Sequence, residues 1–140
     1  MKYGEDPEDT GTGSAIDYIV LRYADVLTLQ AEALARKNNA VTQEAVDLLN
    51  MVRNRAGLAS YSVGDFGNLD SFLNAVLTER GHELYFEGWR RSDLVRHGKF
   101  VAYAKLYKKS RTAAAHHVLF PIPQEIINEG RGKVLQNPGY

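Results

Sequence analysis

The chain has 140 residues, enough for one modest domain with its own core, and its 17 Lys and Arg balance its 17 Asp and Glu. This balance argues against a general nucleic-acid binder, which usually carries a basic excess, and the short, charge-interrupted apolar runs cannot span a bilayer. The chain contains no cysteine, which excludes disulfides, zinc–thiolate sites and cysteine nucleophiles.

Residues 1–16 are predicted to form a flexible N-terminal segment. The stretch from Gly4 to Ser14 is rich in Glu, Asp, Pro, Thr and Gly, a composition typical of loops. No apolar stretch typical of a signal peptide follows Met1. We therefore place the folded region, a helical domain, at residues 17–140.

Two amphipathic helices are predicted between Val20 and Gly57, because apolar residues recur there every three to four positions. Asn38-Asn39 suits the end of the first helix, Thr42 is the expected N-cap of the second, and Gly57 is its expected C′ residue. A short connection should make the helices pack antiparallel, as in tetratricopeptide units, although no repeat at a fixed period is visible. The two apolar stripes are Val20, Tyr23, Leu27, Ala31 and Leu34, with Ala24 and Ala35 beside them, and Ala45, Leu48, Leu49, Val52 and Ala56.

A third helix is predicted from an N-cap at Asp70 to an end at Gly88. A short fourth helix is predicted over residues 92–96, closed by Gly98. The next segment, residues 100–107, has an ambiguous period and fits either a helix or an extended conformation.

Proline shapes the prediction for the last part of the chain. Pro121 and Pro123 forbid a regular central strand, and Pro123 at the first helical position would open a short helix over residues 124–128. No alternation of polar and apolar residues is long enough to predict a sheet. The predicted fold class is therefore all-α, with helical hairpins and an irregular C-terminal segment.

A dense run of charges crosses the third and fourth helices. Glu83 and Glu87 are one turn apart and would share a helix face, so a paired-carboxylate glycosidase is one interpretation. Ion pairs that tie the helix to its neighbours are the favoured interpretation, since charge runs on helices mostly serve packing or solvation. We therefore predict no catalytic residue and a structural charge cluster. The cluster consists of Glu79, Arg80, Glu83, Glu87, Arg90, Asp93 and Arg96.

The sequence also predicts no metal site and no cofactor. His82-Glu83 would need a second histidine at position 86 to match the zinc-protease helix motif, and that residue is Phe86. The side chains of His116-His117 are expected to diverge, which disfavours joint metal binding. Gly11-Thr12-Gly13 lacks the strand and the lysine of a phosphate-binding loop.

Eight aromatic residues are candidates for sugar stacking, because sugars bind flat rings with polar flanks. They are Tyr3, Tyr18, Tyr61, Phe66, Trp89, Tyr103, Tyr107 and Tyr140, and the three to test first are Tyr61, Phe66 and Trp89. Tyr61 and Phe66 lie in a predicted loop and are less committed to a core. Trp89 follows a helix-ending glycine and is either an exposed platform or, as we favour, a cap between the third and fourth helices. Aromatic residues within periodic helical sequence are expected in the core, and these are Tyr23, Phe72 and Phe86.

From about Leu21 onward, five blocks in order resemble the C-terminal part of the SusD/RagB family. Gly81 and His97 depart from that pattern, which usually has Arg and often Trp there, but both changes are local. The blocks are Arg22-Tyr23-Ala24-Asp25-Val26-Leu27 with Gln30-Ala31-Glu32-Ala33-Leu34; Ala45 with Leu49-Asn50-Met51-Val52-Arg53-Asn54-Arg55-Ala56-Gly57-Leu58; Glu79-Arg80, Glu83-Leu84, Phe86-Glu87-Gly88, Arg90, Asp93-Leu94-Val95-Arg96 and Gly98-Lys99; Phe120-Pro121-Ile122-Pro123; and Gln136-Asn137-Pro138-Gly139-Tyr140.

The resemblance implies a non-enzymatic nutrient-binding lipoprotein on the outer surface of Bacteroidetes, built as a superhelix of tetratricopeptide-like helix pairs. Such proteins sit on a SusC-like TonB-dependent outer-membrane barrel and hand it oligosaccharides. They are held by a lipid anchor that is expected upstream of this chain. No binding residue carries over from the family, so this chain is expected to be a C-terminal scaffold region. The alternative is a free-standing tetratricopeptide-like adaptor that binds a peptide.

Overall fold

The computed structural model describes Gly4, Asp6, Pro7, Gly11, Ile16 and Asp17 together with residues 19–107 and 109–140. The predicted flexible segment, residues 1–16, lies mostly outside this description. The described residues form six α-helices and two short 3₁₀ turns and contain no strand, so the predicted all-α class is confirmed. Two compact units divide the chain, Met1–Glu87 and Gly88–Tyr140. The helices are α1 (Tyr23–Asn38), α2 (Gln43–Arg55), α3 (Leu69–Glu83), α4 (Arg90–Arg96), α5 (Phe100–Tyr107) and α6 (Gln124–Glu129).

The first unit begins with the predicted helical hairpin, in which α2 packs along α1. Asn39 ends α1 in the left-handed conformation at φ 48°, and the N–H of Ala40 donates to Ala35 O at 3.1 Å. Thr42 caps α2, since its hydroxyl accepts the N–H of Ala45. Gly57, at φ +75°, lies just past the end of α2 as predicted.

The core of this unit lies where α3 packs against the hairpin. Its buried side chains come from all three helices and include the fully buried ring of Phe72. Removing such a ring costs about 3–5 kcal/mol of folding free energy. The buried cluster is Ala31, Ala35, Ala45, Val46, Leu49, Phe72, Leu73 and Val76.

The predicted stripe of α1 is confirmed at Leu27 and Ala31 and is wrong at its start, where Val20 is exposed as well. Ala24 and Leu27 are buried, but Tyr23 is 66% exposed and the expectation that it lies in the core is wrong. Tyr23 is the first helical residue, and the buried face runs through its neighbour Ala24. A shift of one residue turns a side chain about 100° around the helix, which is enough to move it from core to solvent.

Both ends of α3 differ from the prediction. Asn68, not Asp70, is the N-cap, because Asn68 and Ser71 bond each other's backbone N–H in a capping box. The helix ends at Glu83, before the predicted Gly88. Residues 84–88 form a turn in which Phe86 adopts φ +67° and the N–H of Glu87 donates to Leu84 O at 3.1 Å.

The second unit contains α4, α5 and α6. Helix α4 starts earlier than predicted, at Arg90, and Gly98 follows its end at φ +66°. The ambiguous segment is helical and forms α5. Pro123 occupies the N-cap position of α6 and not the first helical position predicted for it, which Gln124 takes. None of the helices among the described residues is long and apolar enough to cross a bilayer.

Side chains from the C-terminal tail hold residues 119–122 in place. Gln136 bonds the backbone of Ile122 twice, accepting its N–H at 2.8 Å and donating to its O at 2.9 Å. Asn137 donates to Phe120 O at 2.7 Å, and the Tyr140 hydroxyl donates to Leu119 O at 2.8 Å. These bonds satisfy backbone groups that have no sheet partner, which explains why the two terminal sequence blocks occur together.

Candidate functional site

The C-terminal half of α3 carries ion pairs to the arginines at the end of α2. Glu79 accepts a hydrogen bond from Arg53 Nη1 at 2.9 Å. Both oxygens of Glu83 accept from Arg55 Nη2, at 2.7 and 2.6 Å. The two glutamates are four residues apart and therefore face the same neighbour. Both are buried, so these pairs belong to the packing of α3 on α2.

Arg22, which immediately precedes α1, joins Glu83 to Glu87. Its Nε donates to the two carboxylate oxygens of Glu87 at 3.0 and 2.8 Å, and its Nη1 and Nη2 donate to the Glu83 carboxylate and carbonyl. The hydrogen bond to Glu87 raises the pKa of Arg22 well above its usual range, against the opposing effect of burial. The expectation that Glu83 and Glu87 share a helix face is wrong, since Glu87 lies beyond the end of α3. Arg22 nevertheless brings the two carboxylates together.

Arg80 is the most deeply buried charge in this network. Its Nη1 donates to Thr28 Oγ1 at 2.8 Å and to Asp25 O at 3.3 Å, both on α1. The same nitrogen lies 2.7 Å from Asp25 Oδ1, so an ion pair joins these two buried side chains. Arg80 thus fixes the position of α1 on α3.

The remaining residues of the predicted charge cluster lie in the second unit. Asp93 is buried and accepts from Arg96 Nη2 at 2.9 Å, three residues along α4. Arg90 places its guanidinium carbon 5.1 Å from the ring centroid of Tyr103 on α5. Every residue of the cluster therefore makes contacts within its own unit.

Two of the three aromatic candidates to test first are part of the packing of the first unit. Tyr61 and Phe66 are half-buried, contact each other edge-to-face at 5.1 Å and pack against the main core. Arg53 covers the Tyr61 ring at 3.9 Å, and Asn50 bonds the Tyr61 backbone through both its amide atoms. The two rings therefore pack partly against the core and keep part of their surface exposed, and their role in sugar stacking stays a prediction. The third candidate, Trp89, is half-buried and occupies the N-cap position of α4. Of the other candidates, Tyr3 and Tyr18 lie outside the described residues.

The more exposed aromatic rings lie elsewhere. Phe86, expected in the core, is 80% exposed and forms an edge-to-face pair with Tyr85 at 4.9 Å. On α5, Tyr103 and Tyr107 lie one turn apart with their ring centroids 4.6 Å from each other. The i, i+4 spacing of the two tyrosines was the sequence signal for this second pair, and it could be read only once residues 100–107 were known to be helical.

Counting charges by unit reveals a strong asymmetry that the overall balance conceals. Residues 1–87 contain seven Lys and Arg and fourteen Asp and Glu, a formal net charge of −7. Residues 88–140 contain ten Lys and Arg and three Asp and Glu, a formal net charge of +7. No acidic residue occurs between Asp93 and Glu125. The second unit is thus basic and the first acidic, and the two formal net charges cancel over the whole chain.

The histidines do not form a metal centre in the part of the chain that is described, where no three His, Asp or Glu side chains are placed to share an ion. The expectation that His116 and His117 diverge is wrong, because they lie in a 3₁₀ turn and their ring centroids are 4.1 Å apart. His117 Nδ1 lies 3.0 Å from the N–H of Ala114 and caps that turn.

The class of protein follows from these features: an all-helical fold with a tetratricopeptide-like helical hairpin, held by buried ion pairs. The SusD family model matches residues 2–140, so the chain belongs to the SusD family. Members of this family are starch- or glycan-binding proteins without enzymatic activity, found on the outer-membrane surface of Bacteroidetes. The resemblance stated from the five sequence blocks is confirmed.

Similar individual proteins are members of the same family. SusD-like protein P2 of Formosa agariphila is 31% identical over 140 residues, which cover 94% of this chain and 28% of that protein. Starch-binding protein SusD of Bacteroides thetaiotaomicron is 29% identical over 96% of this chain and 23% of its own length. The crystal structure of a SusD homolog from the latter organism superposes with a TM-score of 0.73 at 34% identity, over 92% of this chain and 29% of that one. The chain therefore spans about a quarter of the length of these relatives.

Proposed function

We propose that this chain is the C-terminal scaffold region of a non-catalytic glycan-binding protein of an outer-membrane uptake system. Its partner would be a SusC-like TonB-dependent barrel, and its cargo an oligosaccharide or polysaccharide. The family membership and the starch-binding relative support glycan as the ligand class. A lipid anchor on the full-length protein would hold it at the cell surface, and metabolic labelling with a fatty acid tests that part.

The buried ion-pair network is the observation that supports a scaffold role. The glutamates of the most characteristic sequence block, Glu79, Glu83 and Glu87, all accept charged hydrogen bonds from arginines of the same unit. Such groups orient helices and do not face a cleft where a sugar could approach two carboxylates. The network therefore accounts for these residues without catalysis.

Calorimetric titration tests the proposal. A panel of plant, host and microbial oligosaccharides is titrated against the full-length protein and against the 140-residue chain in parallel. We expect binding by the full-length protein without turnover, and weaker or no binding by this chain alone. Sugar hydrolysis that is lost on Glu83→Gln would contradict the proposal, and binding of a peptide in place of any sugar would favour the adaptor function.

A Glu87→Ala variant separates a structural role of the network from a binding role. We expect a lower melting temperature with sugar affinity of the folded full-length protein retained, because Glu87 is 4% exposed and bound to Arg22. Lost sugar binding at an unchanged melting temperature would place Glu87 in a ligand site and contradict the scaffold assignment.

A further inference from the structure

Helix α5 carries an aromatic pair inside the basic unit, made of the half-buried Tyr103 and the exposed Tyr107. The rings of Tyr103 and Tyr107 lie 4.6 Å apart and are tilted by 35°, so together they form a broad aromatic surface along one side of the helix. Tyr107 is 65% exposed, and the adjacent Leu106 is 69% exposed. Exposed, ordered rings of this kind offer a face on which a flat ligand can stack.

One cation contacts this aromatic pair and another lies one turn away along the chain. Arg90 of α4 contacts the Tyr103 ring, with the guanidinium carbon 5.1 Å from the centroid. Lys99 lies one turn before Tyr103, since its carbonyl accepts the Tyr103 N–H at 2.9 Å. Cationic groups next to aromatic faces favour ligands that combine an anionic group with a stackable ring.

The cations continue past the end of α5. Lys109 and Arg111 are exposed, and Lys109 adopts a left-handed conformation at φ 52°. The N–H of Ser110 donates to Ala104 O at 3.1 Å, which folds this segment back against the helix. Cations near a helix C-terminus also interact with its dipole, and one or two of them would serve that purpose. The chain has six cations between Asp93 and Glu125 and no acidic residue among them, which is more than the helix dipole requires.

We infer that this surface, comprising Tyr103, Tyr107, Arg90, Lys99, Lys109 and Arg111, binds a polyanionic glycan, one whose sugars carry carboxylate or sulfate groups. The apolar face of a sugar ring would stack on the tyrosines, while the cations bind its anionic groups. The formal net charge of +7 on residues 88–140 would raise the association rate with such a polymer and make its binding sensitive to salt.

This inference rests on the proposed glycan-binding function, and it adds to the scaffold role a contact surface on this chain for one chemical class of glycan. The same combination of rings and cations can bind single-stranded nucleic acid. The family membership favours the sugar polymer, and a nucleic acid becomes an outcome of the test.

The test measures the affinity of the full-length protein for polygalacturonate, dextran sulfate, neutral dextran and oligothymidylate, at low and at physiological salt. The first two probes separate carboxylate from sulfate recognition. The site variants are Tyr107→Ala and the double variant Lys109→Gln/Arg111→Gln. Matched controls from the acidic unit are Tyr23→Ala, whose ring is equally exposed, and Lys37→Gln.

We expect at least one polyanionic glycan to bind more tightly than dextran, with affinity that falls as salt rises. Tyr107→Ala should weaken this binding about tenfold, a typical value for one stacking contact, and the double variant should reduce the salt dependence. The two control variants should bind like the original protein.

Other results would overturn the inference in distinguishable ways. Binding of dextran or another neutral glycan alone would refute polyanion recognition and leave the proposed function intact. Polyanion affinity that neither site variant lowers would mean that the binding site lies elsewhere. Tighter binding of oligothymidylate, weakened by the same variants, would identify a nucleic-acid surface. Binding of no glycan from this set or the wider oligosaccharide panel would contradict both proposals.

Discussion

Replacing Arg22 by alanine should destabilise the first unit more than replacing Arg55, although both arginines bind Glu83. The Arg22 side chain is 24% exposed and forms ion pairs with the side chains of Glu83 and Glu87, which are 7% and 4% exposed. Breaking a buried ion pair costs about 3–5 kcal/mol, and partial exposure of Arg22 places our expectation near the lower limit, about 3 kcal/mol. Arg22 has no side-chain capping bond to α1, so this loss comes from its contacts with Glu83 and Glu87.

Arg55 provides the comparison within the same network. Its side chain is 64% exposed, and pairs of that kind contribute about 0–1 kcal/mol. Arg55→Ala should therefore change the free energy of unfolding little, even though its bonds to Glu83 are as short as 2.6 Å. The contrast between the two variants depends on burial and not on distance.

Urea unfolding followed by helical circular dichroism measures both variants on the same protein. For Arg22→Ala we also expect the melting temperature to fall by about 10 °C. Adding Arg22→Ala to a Glu87→Ala background should cost less than adding it to the original protein, because the two residues interact directly. Equal losses for Arg22→Ala and Arg55→Ala, or a loss below about 1 kcal/mol for Arg22→Ala, would refute the reasoning.

Two further predictions concern the turn after α3 and the C-terminal tail. Phe86 holds φ +67° with an exposed ring, so Phe86→Gly should leave stability unchanged or raise it by up to about 1 kcal/mol, as measured by urea unfolding. A loss of more than about 1 kcal/mol would mean that the contact of the ring with Tyr85 outweighs the relief of backbone strain. Gln136→Ala should cost about 1–3 kcal/mol and speed hydrogen exchange at the Ile122 amide, whereas Gln136→Glu, which places a carboxylate against the Ile122 carbonyl oxygen, should cost more. Unchanged exchange at Ile122 in both variants would show that the tail does not hold this segment.

Much of the first unit could be predicted from local sequence. The helical hairpin, the cap at Thr42 and the glycine after α2 depend on residues within one or two turns of each other. The errors at α3 have local causes too. Asn68 and Ser71 cap each other's backbone, so Asn68 and not Asp70 is the N-cap of α3. The apolar pattern continues past Glu83, but Phe86 adopts a left-handed conformation there and the chain is no longer helical.

The candidate sites were predicted less completely, because their contacts join residues far apart in sequence. A charge run identified Glu83 and Glu87, but not that Arg22, more than sixty residues earlier, binds both. Loop position made Tyr61 look available, whereas Arg53 and Phe66 cover its ring. The charge asymmetry was present in the sequence all along, and it became meaningful only when a unit boundary after Glu87 showed where to divide the count.

The sequence by itself determined the family, the all-α class and both ends of α2, since caps, periodicity and ordered sequence blocks are local and additive signals. Only the tertiary structure decided which charges are buried in pairs, which rings are covered and which face solvent. Burial depends on the neighbours that packing brings together. The 3.6-residue period of a helix shows which residues share a face, but not which element packs against that face. The Tyr103–Tyr107 surface, with Arg90 against one of its rings, is therefore a property of the folded chain.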